Sequence, residues 1–228
     1  MGEWSETLSF FTCESTKITP KAIGDTFGIS VSVSDNGNTF IIGAHSDDDM
    51  GANAGAAYIY RWDGSDWVET KIVASDGAAV DRFGHDVGIF GDGYTIVVSA
   101  IVDDDMGTDS GSAYIYRWDG SSWVETKIVA SDGSADDGFG SLLSMTDDGS
   151  EIVVGVGADD DNGTNSGSVY IYRWDGSSWV ESKILASDGK AGDRFGRDVG
   201  ISGDGSRLVA GAYLSDAMGI DSGAAYIY

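Results

Sequence analysis

The chain has 228 residues, 41% of them apolar, which is ample for a core, and it carries 34 glycines against a single proline. A formal net charge of −25 excludes nucleic acid, whose phosphates need Lys and Arg, and it disfavours anionic membrane surfaces. Cys13 is the only cysteine, so no intramolecular disulfide forms, and no apolar run is long enough to be inserted across a bilayer.

Taken in chain order, residues 1–12 lack the basic start and apolar stretch of a secretion signal, so an exported state is expected to need a segment outside this sequence. Within them lies Glu3-Trp4-Ser5-Glu6-Thr7-Leu8, a pattern that returns as Trp67-Val68-Glu69-Thr70-Lys71-Ile72. Next comes a Phe-Gly pair at Phe27, repeated at Phe83, Phe139 and Phe195 with a constant spacing of 56 residues. Self-similarity at a fixed period marks repeated supersecondary units, and it outranks every other signal here. The units run about 24–79, 80–135, 136–191 and 192–228, and with strand 3–9 they read as one domain over 1–228.

Each unit reads as four short strands. The first follows Phe-Gly and holds Val31 and Val33, Val87 and Ile89, Leu143 and Met145, or Val199 and Ile201, alternating with small residues. Asn36-Gly37, Asp92-Gly93, Asp148-Gly149 and Asp204-Gly205 then predict two-residue hairpins into strand two. An acidic loop leads to strand three with its Tyr-Ile-Tyr, and Asp63-Gly64, Asp119-Gly120 or Asp175-Gly176 turns that strand into strand four. Four antiparallel strands repeated radially make the blade of a propeller. The expected fold is all-β, a β-propeller of four blades of four antiparallel strands. The fourth unit lacks its own Trp-Val-Glu-Thr strand, so the N-terminal strand is expected to close the last blade.

Phe-Gly, a turn, Ile41-Ile42-Gly43-Ala44 or Leu208-Val209-Ala210-Gly211-Ala212, then Gly-Ala-Ala-Tyr-Ile-Tyr resembles the FG-GAP repeat, which builds the propeller of integrin α subunits and of many surface proteins. The resemblance covers residues 24–228. It implies a propeller and an extracellular or cell-surface location. For function it implies less, because the family includes adhesion modules, lectins and domains attached to enzymes. The integrin-type Asp-x-Asp-x-Asp-Gly calcium loop between strands one and two is missing here, so calcium does not carry over to that connection.

The loop between strands two and three is a separate calcium candidate. Oxygen side chains at alternate positions, with a glycine for the sharp turn, suit this cation. The expected ligands are Asp47, Asp49 and Asn53, then Asp103, Asp105 and Asp109, then Asp159, Asp161 and Asn165. On this alternation Asp48 faces water. The fourth loop has Ser215 and Ala217 for the first and third carboxylates and keeps Asp216, so three ions are expected rather than four. The competing reading is of ordinary acidic turns.

Other residues carry less chemistry. Asp25, Asp81, Asp137 and Asp193, each two before Phe, read as Asx-turns bracing the crossover between blades. The Tyr-x-Tyr-x-Trp stripe reads as packing between blades, and Glu69 with Lys71 as a solvated outer face. The two histidines recur in no other unit, and no Ser-His-Asp order or phosphate loop is present, so catalysis has little support. Variation between units concentrates just after Phe-Gly and after strand two. This predicts a ligand-binding face with His45, His85, Asp86, Arg197, Asp198 and Tyr213 for a protein or glycan ligand. The chain is thus read as an extracellular binding or adhesion module. One alternative is a lattice or fibre subunit that self-associates by strand exchange, and another is a glycan-active enzyme.

Overall fold

The computed structural model describes residues 17–19 and 22–228. The expected strand 3–9 therefore lies outside the described residues. Fifteen strands are found among the rest, all paired antiparallel within their sheets. The first sheet holds β1 (Val31–Val33), β2 (Thr39–Ala44), β3 (Ala56–Trp62) and β4 (Trp67–Ile72) in chain order. The second repeats it with β5 (Phe83–Ile89), β6 (Thr95–Ala100), β7 (Ser112–Trp118) and β8 (Trp123–Ile128). The third comprises β9 (Leu142–Met145), β10 (Glu151–Val156), β11 (Ser168–Trp174) and β12 (Trp179–Ile184). In the fourth, β13 (Phe195–Ile201), β14 (Leu208–Ala212) and β15 (Ala224–Ile227) form three described strands. These are blades, with the 56-residue register kept from one to the next: Ile41 pairs with Ile59 as Val97 does with Ile115 and Val153 with Ile171.

Burial follows the alternation. In the first three blades the two middle strands are covered on both faces, whereas the fourth is an outer strand with Val68, Val124 and Val180 exposed. On the inner strand, Val87 and Ile89 turn back onto the first sheet beside Ile41 and Ile59. Met145 reaches back to Gly88, its terminal methyl lying where a Cβ would stand. Each Phe of a Phe-Gly pair is set edge-on against a tyrosine of its own unit, with ring centroids 5.3 Å apart for Phe83 and Tyr114. A parallel bridge then ties it to the previous sheet, Gly55 to Phe83, Gly111 to Phe139 and Gly167 to Phe195. Apolar packing and backbone pairing thus coincide at each boundary between described blades.

Two local expectations are corrected. At the predicted two-residue hairpins the left-handed residue is the glycine alone, with φ near 70° at Gly37, Gly93, Gly149 and Gly205. The Asn36 side chain instead accepts the Asn38 N–H at 2.8 Å, and the Ser34 N–H reaches the Thr39 carbonyl, so the turn is longer than a two-residue loop. The crossover aspartates are buried but act backwards along the chain. Asp81 accepts the Ala78 N–H at 2.6 Å and Asp137 the Ser134 N–H at 2.6 Å, each from three residues before. Burial, aided by the carboxylates of Asp159 and Asp160, lifts the Asp137 pKa to about 6.

Candidate functional site

The residues after Phe-Gly and after strand two meet in pairs across blade boundaries. His45, at the end of β2, faces His85 on β5, with ring centroids 5.8 Å apart. The same positions one boundary further are Ile101 and Ser141, and beyond that Gly157 and Arg197. Gly157 makes room for its partner: a Cβ there would sit 3.3 Å from the Arg197 Cα and 3.5 Å from its Cδ. Tyr213 holds the corresponding place after β14 and is exposed. A cavity of about 400 Å³ lined by Leu142, Arg197, Asp198 and Tyr213 opens there.

The histidines are neutral hydrogen-bonding groups in this setting. Both Nδ1 atoms are buried with no partner among the described residues. Burial lowers the His45 pKa, and the His85 ring and the Arg82 guanidinium lower it further. Burial also lowers that of His85, outweighing the pull of Asp86, and Arg82 and Arg197 add to the effect. Neither arginine forms an ion pair with a described carboxylate, although acidic residues outnumber basic ones 38 to 13. Arg82 escaped the sequence reading. It holds a left-handed conformation (φ 60°), and the glycine at the same place in the third unit, Gly138 (φ 64°), was the available sign.

Asp86 is committed elsewhere. Its carboxylate accepts Ser30 Oγ from the first unit at 2.8 Å and the Leu143 N–H from the third at 2.9 Å, stapling three blades near their inner strands. It therefore positions this face and has little capacity left for a ligand. Asp198 is exposed beside Arg197 and partners no described side chain by hydrogen bond.

The acidic loops present a different chemistry. Asp47 and Asp49 do converge, but on the ammonium of Lys71 from β4, which lies 2.7 Å from Asp47 Oδ2. Lys127 Nζ likewise gathers Asp103 at 2.9 Å and Asp105 at 2.6 Å, and adds Asp76 of the preceding unit at 2.8 Å. Lys183 repeats this with Asp159, Asp161 and Asp132. Antiparallel register explains the reach. Lys71 pairs with Tyr58, whose hydroxyl bonds Asp47 at 2.9 Å. Burial alone would lower the lysine pKa, yet the bonds from Asp47 and Asp49 raise it well above its ordinary value. For Asp47, burial is likewise overcome by Lys71, the Asp49 N–H and Tyr58, and its pKa falls. Lys71 is therefore no solvated outer residue.

The remaining loop residues are structural. Asp48 is exposed, as expected, and one of its oxygens also accepts the Asn53 N–H at 2.7 Å, as Asp104 accepts that of Asp109 and Asp160 that of Asn165. Asn53, Asp109 and Asn165 sit at φ 53–55°, where Asn and Asp are the tolerated side-chain residues. Asp216 keeps the same bond to the Asp221 N–H, which is why it survives in a loop that has lost both flanking carboxylates. The donor set does not fit calcium as it stands. The cation wants six to eight oxygens at about 2.3–2.6 Å, whereas each expected triad offers two carboxylates already joined through an ammonium.

The FG-GAP repeat model matches residues 14–60, 67–116, 123–172 and 179–228. The chain belongs to the FG-GAP repeat family. No curated protein matches this FG-GAP chain. Among solved structures, Sqt1 of Saccharomyces cerevisiae is similar at 11% identity and a TM-score of 0.53, covering 84% of this chain and 45% of that one. Hydrazine synthase of Kuenenia stuttgartiensis is similar at 14% identity and a TM-score of 0.50, covering 80% and 42%. The Dos1 propeller is similar at 12% identity and a TM-score of 0.49, covering 87% and 43%. The four FG-GAP units thus span less than half the length of these chains. No described helix is long and apolar enough to cross a membrane.

Proposed function

We propose that this FG-GAP protein is an extracellular or cell-surface ligand-binding and adhesion module that grips a carboxylate-bearing glycan. Family and fold make it a binding or scaffold module. The observation that carries the finer reading is the basic spot on an acidic surface: Arg82 and Arg197, without ion-pair partners among the described residues, beside two histidines whose Nδ1 atoms have no partner among them either. Guanidinium groups match a carboxylate in geometry as well as charge. Tyr213, exposed beside Arg197, supplies an apolar ring for a sugar face. The carboxylate of Asp86 is spent on Ser30 and Leu143 and holds the blades rather than a ligand.

Calorimetric titration with an oligogalacturonate, using its neutral methyl ester as control, tests the reading. Binding of the acid alone is expected, with an Arg197→Ala, Tyr213→Ala variant at least tenfold weaker and unchanged in melting temperature. Equal binding of acid and ester, or an acidic peptide bound in place of both, would sink it.

The same reading has residues 3–9 complete the fourth sheet along β15. Aligned on the tryptophan, Leu8 stands at the lysine position, and the two carboxylates a lysine would neutralise are Ser215 and Ala217 in that unit. Loss of all three together is what one shared strand requires. Deleting residues 2–8 should lower the melting temperature and promote aggregation through the bared edge. A truncated chain that melts like the full one would refute this closure.

A further inference from the structure

The residue that follows strand two and the residue two after the Phe of the next unit occupy one place at each blade boundary. His45 and His85 fill it at the first boundary, Ile101 and Ser141 at the second, Gly157 and Arg197 at the third. The fold therefore needs no ionisable pair there. The histidines also carry a cost, since each buried Nδ1 lacks a partner among the described residues and forgoes the hydrogen bond that water would give it. A costly pair at a place where the scaffold accepts isoleucine or glycine points to a chemical task.

Backbone bonds position both rings. The Ser46 N–H, next to His45, reaches the Asp25 carbonyl at 3.3 Å, and the His85 N–H reaches that of Arg82 at 3.1 Å. The rings meet edge to face, their planes 74° apart. Arg82 acts on both rings, and Arg197, from β13, acts on His85. Of the carboxylates nearby, Asp86 favours a charged His85, but its oxygens hold Ser30 Oγ and the Leu143 N–H. Asp47, two residues after His45, is held by Lys71, and Asp81, next to Arg82, by the Ala78 N–H. Asp25 is buried in the segment before β1, and Asp198 lies exposed beside Arg197. Burial and like charge together keep the pair neutral near pH 7.

We propose that the His45–His85 pair takes up protons as an oxyanion binds beside Arg82, so that this face grips its ligand more tightly in acid. The inference rests on reading this face as the anion site and adds its regulation. A ring that charges gains a second N–H donor. Two charged rings with centroids 5.8 Å apart, next to a guanidinium, repel one another, and an oxyanion among them cancels that repulsion. Protons and anion therefore help each other to bind, by the same factor in either direction. The two rings titrate as one coupled unit, because the first proton opposes the second until the anion arrives.

Calorimetry of the untagged 228-residue chain with sodium sulfate reads the result, because sulfate stays a dianion from about pH 5 to about pH 8 and only the protein titrates. At fixed ionic strength the affinity should rise about tenfold between about pH 7.5 and about pH 5. Buffers of different ionisation enthalpy should reveal protons taken up on binding. In proton NMR, sulfate should move the pKa of both histidines upward. A His85→Gln variant should raise that of His45, whose like-charged neighbour is gone. The double variant His45→Gln, His85→Gln should bind without proton uptake. Sulfate that fails to bind at about pH 5 would overturn the proposal, as would an affinity that ignores pH. Histidines that ignore sulfate, or proton uptake that survives the double substitution, would overturn it equally. The glycan reading fails separately, through an oligogalacturonate that binds at no pH while sulfate behaves as described.

Discussion

Replacing Lys127 by Met should cost about 3 kcal/mol of folding stability, the lower end of what removing one partner of a buried ion pair costs. For a chain of this size that corresponds to roughly 6–12 °C in melting temperature. Lys127 gathers three carboxylates, of which Asp103 is buried and has no other cation beside it among the described residues. Methionine keeps the length of the stem and removes the charge, leaving Asp103, Asp105 and Asp76 close together without a cation. A second substitution, Asp103→Asn, should recover part of the loss, because a neutral amide still accepts the Tyr114 hydroxyl. Calcium sharpens the experiment. Wild-type protein stripped with a chelator should show no thermal shift at millimolar calcium, since the ammonium already neutralises the node. A shift of several degrees in the wild type would restore the loops as metal sites. A Lys127→Met variant as stable as the wild type would show the lysine to be a surface residue after all.

The blades were legible because two signals agree over 56 residues: apolar alternation, and Asp-Gly or Asn-Gly at the reversals after strands one and three. What the side chains do between blades was less legible, because their partners lie far away in sequence. Lys71 stands 24 residues after Asp47, on a strand whose own alternation makes it look solvated. Only the register that sets Lys71 beside Tyr58 brings it to the loop. One trace was present. The fourth loop has lost both carboxylates together, at Ser215 and Ala217, as positions that share one partner would. Asp86 left no such trace. Its partners Ser30 and Leu143 belong to two other units, and a varying residue after Phe-Gly reads equally well as ligand or staple. The pairing of His45 with His85 was half visible: both were placed on one face, but contact depends on how closely one inner strand approaches the preceding blade.

Gly111→Ala should abolish cooperative folding, or cost well over 4 kcal/mol, against the roughly 5–15 kcal/mol that holds a domain of this kind together. Two effects add at this position. Its φ of +79° is unfavourable for any residue with a Cβ, at about 1–2 kcal/mol. The new Cβ would also lie 2.5 Å from the Phe139 amide nitrogen and overlap its carbonyl oxygen, and neither is a side chain that can swing away. Relief requires the third blade to move off the second. That would break the Gly111–Phe139 bridge and the bond from the Phe139 N–H to the Ser110 carbonyl, and would uncover the ring packed with Val97 and Ile115. Gly120→Ala separates the two effects. Gly120 has φ +102° in the hairpin between β7 and β8, and a Cβ there meets nothing within 4 Å. That variant should lose only the conformational part, about 1–2 kcal/mol, and still unfold in one transition. Chemical denaturation of both variants decides the matter. Equal losses would mean that the close approach of the blades contributes nothing, and that the glycines of Phe-Gly propellers serve their turns alone.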